Sequence, residues 1–375
     1  MIKGIKFFLC LLLLYLQLIM HPKYLNISDL RSSFYIILNM KKCTLLLFLI
    51  CFIWAIPQSF AQRYTRNKRY ISVGGSINAM NYFGDITPSS SFSSADLRFT
   101  RPNFSVHMQR KYTPRLSARA AFAWGRLKGD DFISANPADR NGRYRYVRNA
   151  HFRNDIKELS LVGIWDLFEN RNTFLRRPEF VPYIFAGIAV FHHNPRARTP
   201  EEDGRKWVAL QPLGTEGQFI PDQNNASPYK RIQMAIPAGV GVRYKLSPRI
   251  DLGFEIGYRF TFFDYLDDVS GNYPDMGDLR TASGEMAVKM SNRTLENIAA
   301  NTGESRESTL NRILNDTGLG AITYVGSDGN LYDTVNGYGM RDDQRGKPSE
   351  KDWYLVTGFQ INYILIKGVR CPRFR

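Results

Sequence analysis

The sequence predicts an all-β protein: an eight-stranded antiparallel transmembrane β-barrel with long extracellular loops. Three observations predict this fold. Long segments alternate between apolar residues and polar residues or glycine, the connections between them alternate between short and long, and the segments are even in number. A membrane strand alternates because one face meets hydrocarbon and the other faces the lumen. A closed barrel also leaves no unpaired strand edge in lipid.

The clearest alternation flanks a tight turn at Ser247-Pro248-Arg249. In residues 232–246 and again in residues 250–262, one parity is largely apolar and the other carries glycine, Arg, Asp, Glu and Lys. The alternative is a long hairpin in a soluble β-sandwich. Soluble strands seldom keep this pattern for so long, whereas a bilayer requires ~9–11 alternating residues. The pattern therefore favours two membrane strands.

Six further strands are expected at residues 70–82, 101–112, 116–124, 155–168, 179–192 and 352–365. The fifth strand in the chain, 179–192, is apolar on both faces, so its orientation is ambiguous. Connections after the second, fourth and sixth strands are short or medium, and those after the others are long. Outer-membrane barrels sort their loops in this way when the N-terminus is periplasmic. Eight strands enclose a lumen that side chains fill, so we expect no open pore.

The N-terminal region has the pattern of a secretory signal peptide at residues 40–61. Two lysines precede an apolar run, and small residues precede a cleavage site between Ala61 and Gln62. Residues 1–39 are then interpreted as a start-site artefact, or alternatively as a genuine second hydrophobic segment. The barrel is expected over residues 62–366, with its longest loop at 264–351 and a tail at 367–375. The expected location is the cell outer membrane.

Composition and motifs argue against several functions. The formal charge is +16, but the basic residues are scattered, so no nucleic-acid partner is predicted. The sequence contains no catalytic or cofactor-binding motif, and we expect no enzyme activity, no cofactor and no metal site. An acidic stretch from Asp264 to Asp275 is interpreted as a solvated turn rather than a Ca²⁺ site. His192 and His193 should point to opposite faces of a strand, where they cannot share a metal.

Six charged residues on the polar parity of the strands are expected to face the lumen. They form a candidate charge network: Arg119, Glu158, Arg243, Asp251, Glu255 and Arg259. Buried charges must be paired to be tolerated, so an ion-paired plug is favoured over a transport or catalytic site. Nine aromatic residues near strand ends or on outward positions, including Tyr183, suit interfacial girdles or ordinary strand packing. A short helix within residues 284–300 is expected over the barrel mouth.

Several segments resemble one family. They include Asn81-Tyr82-Phe83-Gly84-Asp85, Gly125 to Asp131, Pro182 to Ile188 with Phe191 to Pro195, Leu210 to Gln218, Ile236 to Gly241, Phe263 to Gly271 and Asp352-Trp353-Tyr354. Together they resemble the PorG-like outer-membrane barrel family of the Bacteroidota, which is associated with type IX protein secretion and with gliding. The resemblance covers nearly all of residues 62–365.

This resemblance implies a non-catalytic, lipid-embedded subunit that contacts a periplasmic ring made of a lipoprotein and its partner. The residues expected to touch the ring lie in the periplasmic turns: Arg110, Lys111, Arg115 and Arg249. The alternative is a general outer-membrane barrel with a passive transport, adhesion or envelope-integrity role. A barrel enzyme using His107 is the third hypothesis, and it has the least support.

Overall fold

The computed structural model describes residues 68–86, 97–221 and 227–365. Eight long strands form its wall, and their bounds are β1 (Ile71–Phe83), β2 (Arg101–Lys111), β3 (Leu116–Asp130), β4 (His151–Asp166), β5 (Phe180–His192), β8 (Ile232–Lys245), β9 (Ile250–Thr261) and β12 (Trp353–Leu365). Each is antiparallel to its neighbours in chain order. Pairing of β1 with β12, from Ile71↔Leu365 to Phe83↔Trp353, closes the barrel. The predicted fold class is confirmed.

The strand bounds differ from the predicted ones chiefly at the long-loop end of β3 and β4. Both strands continue through residues 127–130 and 151–154, which the alternation pattern assigns to a loop, and they pair as far as Asp130↔His151. Two short strands, β6 (Pro195–Arg198) and β7 (Trp207–Ala209), add to this extension as a hairpin beside β4. On this side the barrel wall therefore rises above its apolar zone.

A belt of exposed apolar side chains surrounds the barrel. Its members alternate along every wall strand and include Ile77, Val106, Met108, Phe122, Leu159, Leu161, Ile188, Val190, Met234, Val240, Leu252, Phe359 and Ile361, each more than a third exposed. Exposed apolar area on this scale is not stable in water, but it is what bilayer hydrocarbon solvates. The belt shows that the barrel spans a membrane.

The lumen explains why β5 is apolar on both faces. Tyr183 and Phe185 point inward and are 2% and 4% exposed. A Cβ atom on Gly241 would lie 2.6 Å from the Tyr183 ring, and one on Gly257 would lie 2.7 Å from the Phe185 ring. Inward glycines on β8 and β9 thus leave room for aromatic rings from β5. The girdle prediction is wrong for Tyr183, which packs inside the barrel.

The long loops fold into an ordered cap that contains five α-helices and a second sheet within the described residues. The helices are α1 (Asp131–Ser134), α2 (Arg140–Arg148), α3 (Met276–Ser283), α4 (Glu285–Ser291) and α5 (Glu307–Thr317), and the sheet pairs β10 (Ala321–Val325) with β11 (Leu331–Val335). The helix predicted within residues 284–300 corresponds to α4. None of the described helices combines the length and apolarity needed to cross a membrane.

The start of the longest loop enters the barrel mouth. Leu266 and Val269 are at most 1% exposed, and they pack with Met80, Phe152 and Tyr354 of the wall. Asn154 Nδ2 donates to the carbonyl of Leu266 at 2.7 Å. The mouth is therefore filled by the chain itself.

Candidate functional site

The middle of the lumen is crossed by a polar network centred on Arg119 and Glu255. The guanidinium donates two hydrogen bonds to the carboxylate, at 2.5 and 2.9 Å, and a third to Gln360 Oε1 at 3.0 Å. Tyr183 donates to Glu255 at 2.6 Å, and Gln360 donates to the Tyr183 hydroxyl at 2.7 Å. The Arg119 guanidinium also lies 5.5 Å from the centroid of the Phe185 ring. Bidentate pairing with both partners hydrogen-bonded is the arrangement that buried charges require.

Nearer the mouth, a second set of polar groups faces the lumen. Tyr354 donates to Glu158 Oε2 at 2.7 Å, and Arg259 Nε lies 3.4 Å from the same oxygen. On the short-loop side of Gln360, His107 Nε2 is 2.7 Å from Asn362 Oδ1. The cavity between these layers has a volume of about 40 Å³. That volume holds a water molecule or two, and it provides no continuous passage.

The short-loop end of the lumen is closed by a third cluster. The Asp166 carboxylate forms one ion pair with Lys111 and a second with Arg243 Nη2, at 2.7 Å. Arg177 donates to Asp251 Oδ1 at 2.7 and 3.0 Å and to the carbonyls of the β8–β9 turn. Lys111 is 1% exposed. Its assignment to a partner-binding turn is wrong, because its side chain lies on the inward parity and ends on a buried carboxylate.

All six lumen candidates therefore face the interior, but they form separate layers rather than one network. Arg119 pairs with Glu255 and Arg259 lies near Glu158, whereas Arg243 and Asp251 use Asp166 and Arg177 as partners. Sequence reasoning missed these two partners. Asp166 lies on the inward parity of β4, so the alternation pattern could have identified it. Arg177 lies in a connection, where no periodicity points to it.

The two tight turns at the short-loop end present the other predicted residues. Thr113-Pro114-Arg115 and Ser247-Pro248-Arg249 share a hydroxyl residue, proline and arginine, and in each turn the hydroxyl accepts backbone N–H groups that follow it. Arg249 is exposed and Arg115 partly so. Arg110, also exposed, lies over the Tyr112 ring at 5.1 Å from its centroid. Three arginines thus form a basic rim here.

Carboxylates concentrate at the barrel mouth, and two of them share one tyrosine hydroxyl. Tyr82 OH lies 2.7 Å from Asp267 Oδ2 and 2.7 Å from Asp352 Oδ1. The remaining oxygens of the two carboxyl groups accept backbone N–H groups of Val269 and Leu266, respectively. One phenolic proton cannot serve two carboxylates, so the arrangement is complete only when a carboxyl group is protonated. Burial, followed by repulsion between carboxylates, raises the pKa of Asp267 and of Asp352 well above the ordinary range.

Asp264 belongs to the same mouth cluster. It is 3% exposed, its Oδ2 accepts from Ser270 Oγ at 2.8 Å, and its Oδ1 has no hydrogen-bond partner among the described residues. Burial raises the pKa of Asp264 to about 7. This carboxyl group therefore changes its charge close to neutral pH.

Asp268 lies on the cap side of the mouth cluster. It accepts hydrogen bonds from Thr215 at 2.5 Å and from Tyr229 at 2.6 Å, and burial raises its pKa to about 6. Arg345 donates to Glu216 at 2.9 Å and to the Asp268 carbonyl at 2.7 Å. The interpretation of this stretch as a solvated turn is wrong, because the carboxylates of Asp264, Asp267 and Asp268 are buried. No group of three or more His, Cys, Asp or Glu side chains in the described residues could hold a metal ion.

The two adjacent histidines point to opposite faces, as the strand pattern predicts. His192 is exposed on the outer wall, and His193 is fully buried. The His193 ring stacks on Tyr229 with centroids 5.7 Å apart and contacts Phe263 at 5.0 Å. Burial lowers the pKa of His193 to about 4, so it serves as a neutral packing group in the cap. The predicted cleavage residues Ala61 and Gln62 lie outside the described residues.

Comparisons with solved structures return outer-membrane barrels. The chain is similar to Neisserial surface protein A (NspA), with 8% identity, 79% of this chain and 96% of that chain covered, and a TM-score of 0.30. It is also similar to OprG from Pseudomonas aeruginosa, with 8% identity, 79% of this chain and 96% of that chain covered, and a TM-score of 0.31. A third similar structure is a major outer membrane protein from Thermus thermophilus, with 11% identity, 79% of this chain and 99% of that chain covered, and a TM-score of 0.29. None of the curated proteins matches the chain.

A closed antiparallel barrel with an apolar exterior, short turns at one end and long loops at the other is an outer-membrane protein. The family model described as "Domain of unknown function (DUF6089)" matches residues 45–211 and 207–286, and the chain belongs to that family.

Proposed function

We propose that this protein is an integral outer-membrane subunit of a type IX protein secretion machine and anchors periplasmic ring components. The observation that carries the proposal is the filled lumen, in which three polar layers and the inserted loop leave a cavity of about 40 Å³. A barrel filled in this way acts through the surfaces at its two ends. The type IX secretion machine is inferred from the sequence resemblance to PorG-like barrels. We propose no catalytic activity.

The basic rim at the short-loop end is the surface we assign to the ring. Its residues are Arg110, Arg115 and Arg249, and Lys111 is excluded because it is buried. The two Thr/Ser-Pro-Arg turns are held by their own hydroxyl groups, so the arginines are presented from rigid supports. Exposed guanidinium groups favour a partner with an acidic face.

Affinity purification from outer membranes tests this assignment. We expect ring proteins to co-purify with the wild-type barrel and to be lost when Arg110, Arg115 and Arg249 are changed to Glu. A matched control changes three exposed arginines of the cap, Arg140, Arg312 and Arg341, to Glu and should retain the partners. A deletion strain should also fail to export the cargo of the machine. Normal export by that strain would remove the proposal.

A surface role in adhesion is the second candidate, and one observation favours it. The β10–β11 hairpin in the cap exposes Val325 by 65% and Leu331 by 71%. Exposed apolar residues on an ordered loop are typical of interaction surfaces. If pull-downs recover no secretion component and the deletion strain loses surface attachment, this candidate replaces the first.

A further inference from the structure

Beyond the secretion role, we propose that the outer wall binds a phosphate-bearing lipid headgroup of the outer leaflet. The site is a basic patch on the outward face of the wall extension at the long-loop end. Its members are Arg126 and Lys128 on β3, Arg153 and Lys157 on β4, and Arg196 and Arg198 on β6. None of these residues takes part in the lumen layers or in the basic rim.

Strand pairing brings the cations of the basic patch into rows. Lys128 pairs with Arg153 across β3 and β4, and Arg153 pairs with Arg196 across β4 and β6. Residues that pair directly across strands have side chains on the same face, about 4.5–5.5 Å apart at Cβ. Three positive side chains therefore lie side by side, an arrangement that costs free energy unless an anion neutralises it.

The patch contains far more positive than negative charge. Asp155 forms an ion pair with Arg126 at 2.5 Å, with both side chains 42% exposed. Within the described residues, Lys128, Arg153, Lys157, Arg196 and Arg198 form no ion pair with a carboxylate. The acidic tip of the β6–β7 hairpin does not supply one, because Glu202 and Asp203 contact Lys289 instead.

Trp207 holds two of these guanidinium groups in place. Arg153 lies 3.9 Å and Arg198 5.1 Å from the centroid of its indole ring. The Nε atoms of Arg153 and Arg198 are buried without a hydrogen-bond partner in the described part of the chain. Stacking fixes the guanidinium planes while their remaining N–H groups stay available for an oxyanion. An ordered pair of this kind is better suited to a phosphate than freely rotating lysines are.

The height of the patch indicates a lipid ligand. On β3 the outward parity runs from Phe122 and Trp124, which are 49% exposed, directly to Arg126 and Lys128. Two residues of a tilted strand rise about 5 Å along the membrane normal. Arg126 therefore lies about 5 Å and Lys128 about 10 Å above Trp124, a residue type enriched at the interface. Cations at this level face the headgroup layer, where clustered Lys and Arg bind anionic lipids.

Lipid retention by the full-length barrel in detergent micelles tests the proposal. The probes are diphosphoryl lipid A and monophosphoryl lipid A, and bound lipid is counted by native mass spectrometry. We expect the wild type to retain the diphosphoryl form more strongly. The triple variant Arg153→Gln/Arg196→Gln/Arg198→Gln should retain it about a hundredfold less. The matched control Arg140→Gln/Arg312→Gln/Arg341→Gln removes the same charge from exposed positions of the cap and should behave as the wild type.

Each other outcome overturns the proposal. Equal retention of the two lipids by the wild type, or an equal loss in both triple variants, would show that no phosphate site exists in the basic patch. Displacement of the lipid by inorganic phosphate at equal phosphate concentration would show an ion site instead of a lipid site. If the patch triple variant fails to fold, shown by loss of its heat-modifiable gel migration, the exposed single variant Arg196→Gln decides. It should lose retention about fivefold, and unchanged retention would contradict the proposal.

Discussion

The middle of the lumen and the mouth of the barrel both bury carboxylates, but they stabilise them in different ways. Glu255 in the middle receives two hydrogen bonds from Arg119, and Tyr183 adds a third. At the mouth, Asp267 and Asp352 share Tyr82 and otherwise accept backbone N–H groups. A cation lets a buried carboxylate stay charged, whereas neutral donors leave it inclined to hold a proton. The lumen should therefore be insensitive to pH, and the mouth should not be.

The largest effect should come from removing the cation in the middle of the lumen. Arg119→Leu leaves Glu255 buried and unpaired, and breaking a buried ion pair from one side costs about 3–5 kcal/mol. Denaturant unfolding of the refolded barrel in micelles measures this loss. The double variant Arg119→Leu/Glu255→Leu should recover most of it, because no uncompensated charge remains. If the single and double variants unfold at the same denaturant concentration, the ion pair is not what stabilises this layer.

The second effect is a pH dependence of the cap. The pKa of Asp264 is about 7 in the folded state against an ordinary value of 3.8. Folding therefore favours its protonated form, so the contribution of this group to stability is complete below about pH 4 and is lost as the pH rises towards 7. A single titrating group of this kind shifts the equilibrium between the closed and the open cap by at most about tenfold per pH unit.

Proteolysis of the loops, normalised to an unstructured substrate at each pH, measures that opening. Cleavage should speed up between about pH 5 and pH 7 in the wild type and should change less in Asp264→Asn, which cannot ionise. The groups that act on Asp264 are Asp85, Glu216, Lys351 and the hydroxyl of Ser270. A pH profile that is identical in wild type and variant would show that another group governs the cap.

A smaller loss of stability is expected when an inward glycine that accommodates the Tyr183 ring is replaced. Gly241→Val places methyl groups against the Tyr183 ring, since even a Cβ would lie 2.6 Å from it. Overpacking of this kind costs about 1–3 kcal/mol. Gly163→Ala is the control, because its Cβ would lie 3.8 Å from the nearest atom, the carbonyl oxygen of Ala186. Comparable losses of stability in the two variants would contradict the steric explanation.

The barrel could be predicted from the sequence because its determinants are local. Alternation determines which residues face lipid, and for most strands, including 232–246 and 250–262, the predicted ends lie within one or two residues of those in the structure. Strand β5 is ambiguous in the sequence because its inward positions carry Tyr183 and Phe185. Assigning its faces correctly requires knowledge that glycines on β8 and β9 lie opposite, which is a long-range relation.

The mouth and the cap could not be predicted in the same way. Asp264, Asp267 and Asp268 have the composition of a solvated turn. Long-range contacts bury these carboxylates, such as those of Asp267 with Tyr82 and of Asp268 with Thr215 and Tyr229. Lys111 follows Arg110 at a strand end, which suggests a surface turn, although its inward parity already points towards the lumen. Loop residues show no periodicity, so tertiary packing determines which of them become interior.

The small volume of the cavity inside the barrel also has a consequence for the permeability of the cell envelope. Arg177 lies at one end of the lumen and Leu266 at the other, and the cavity of about 40 Å³ between the polar layers is far too small for an antibiotic or a bile salt. High expression of this protein should therefore leave the envelope as resistant to vancomycin and detergents as before.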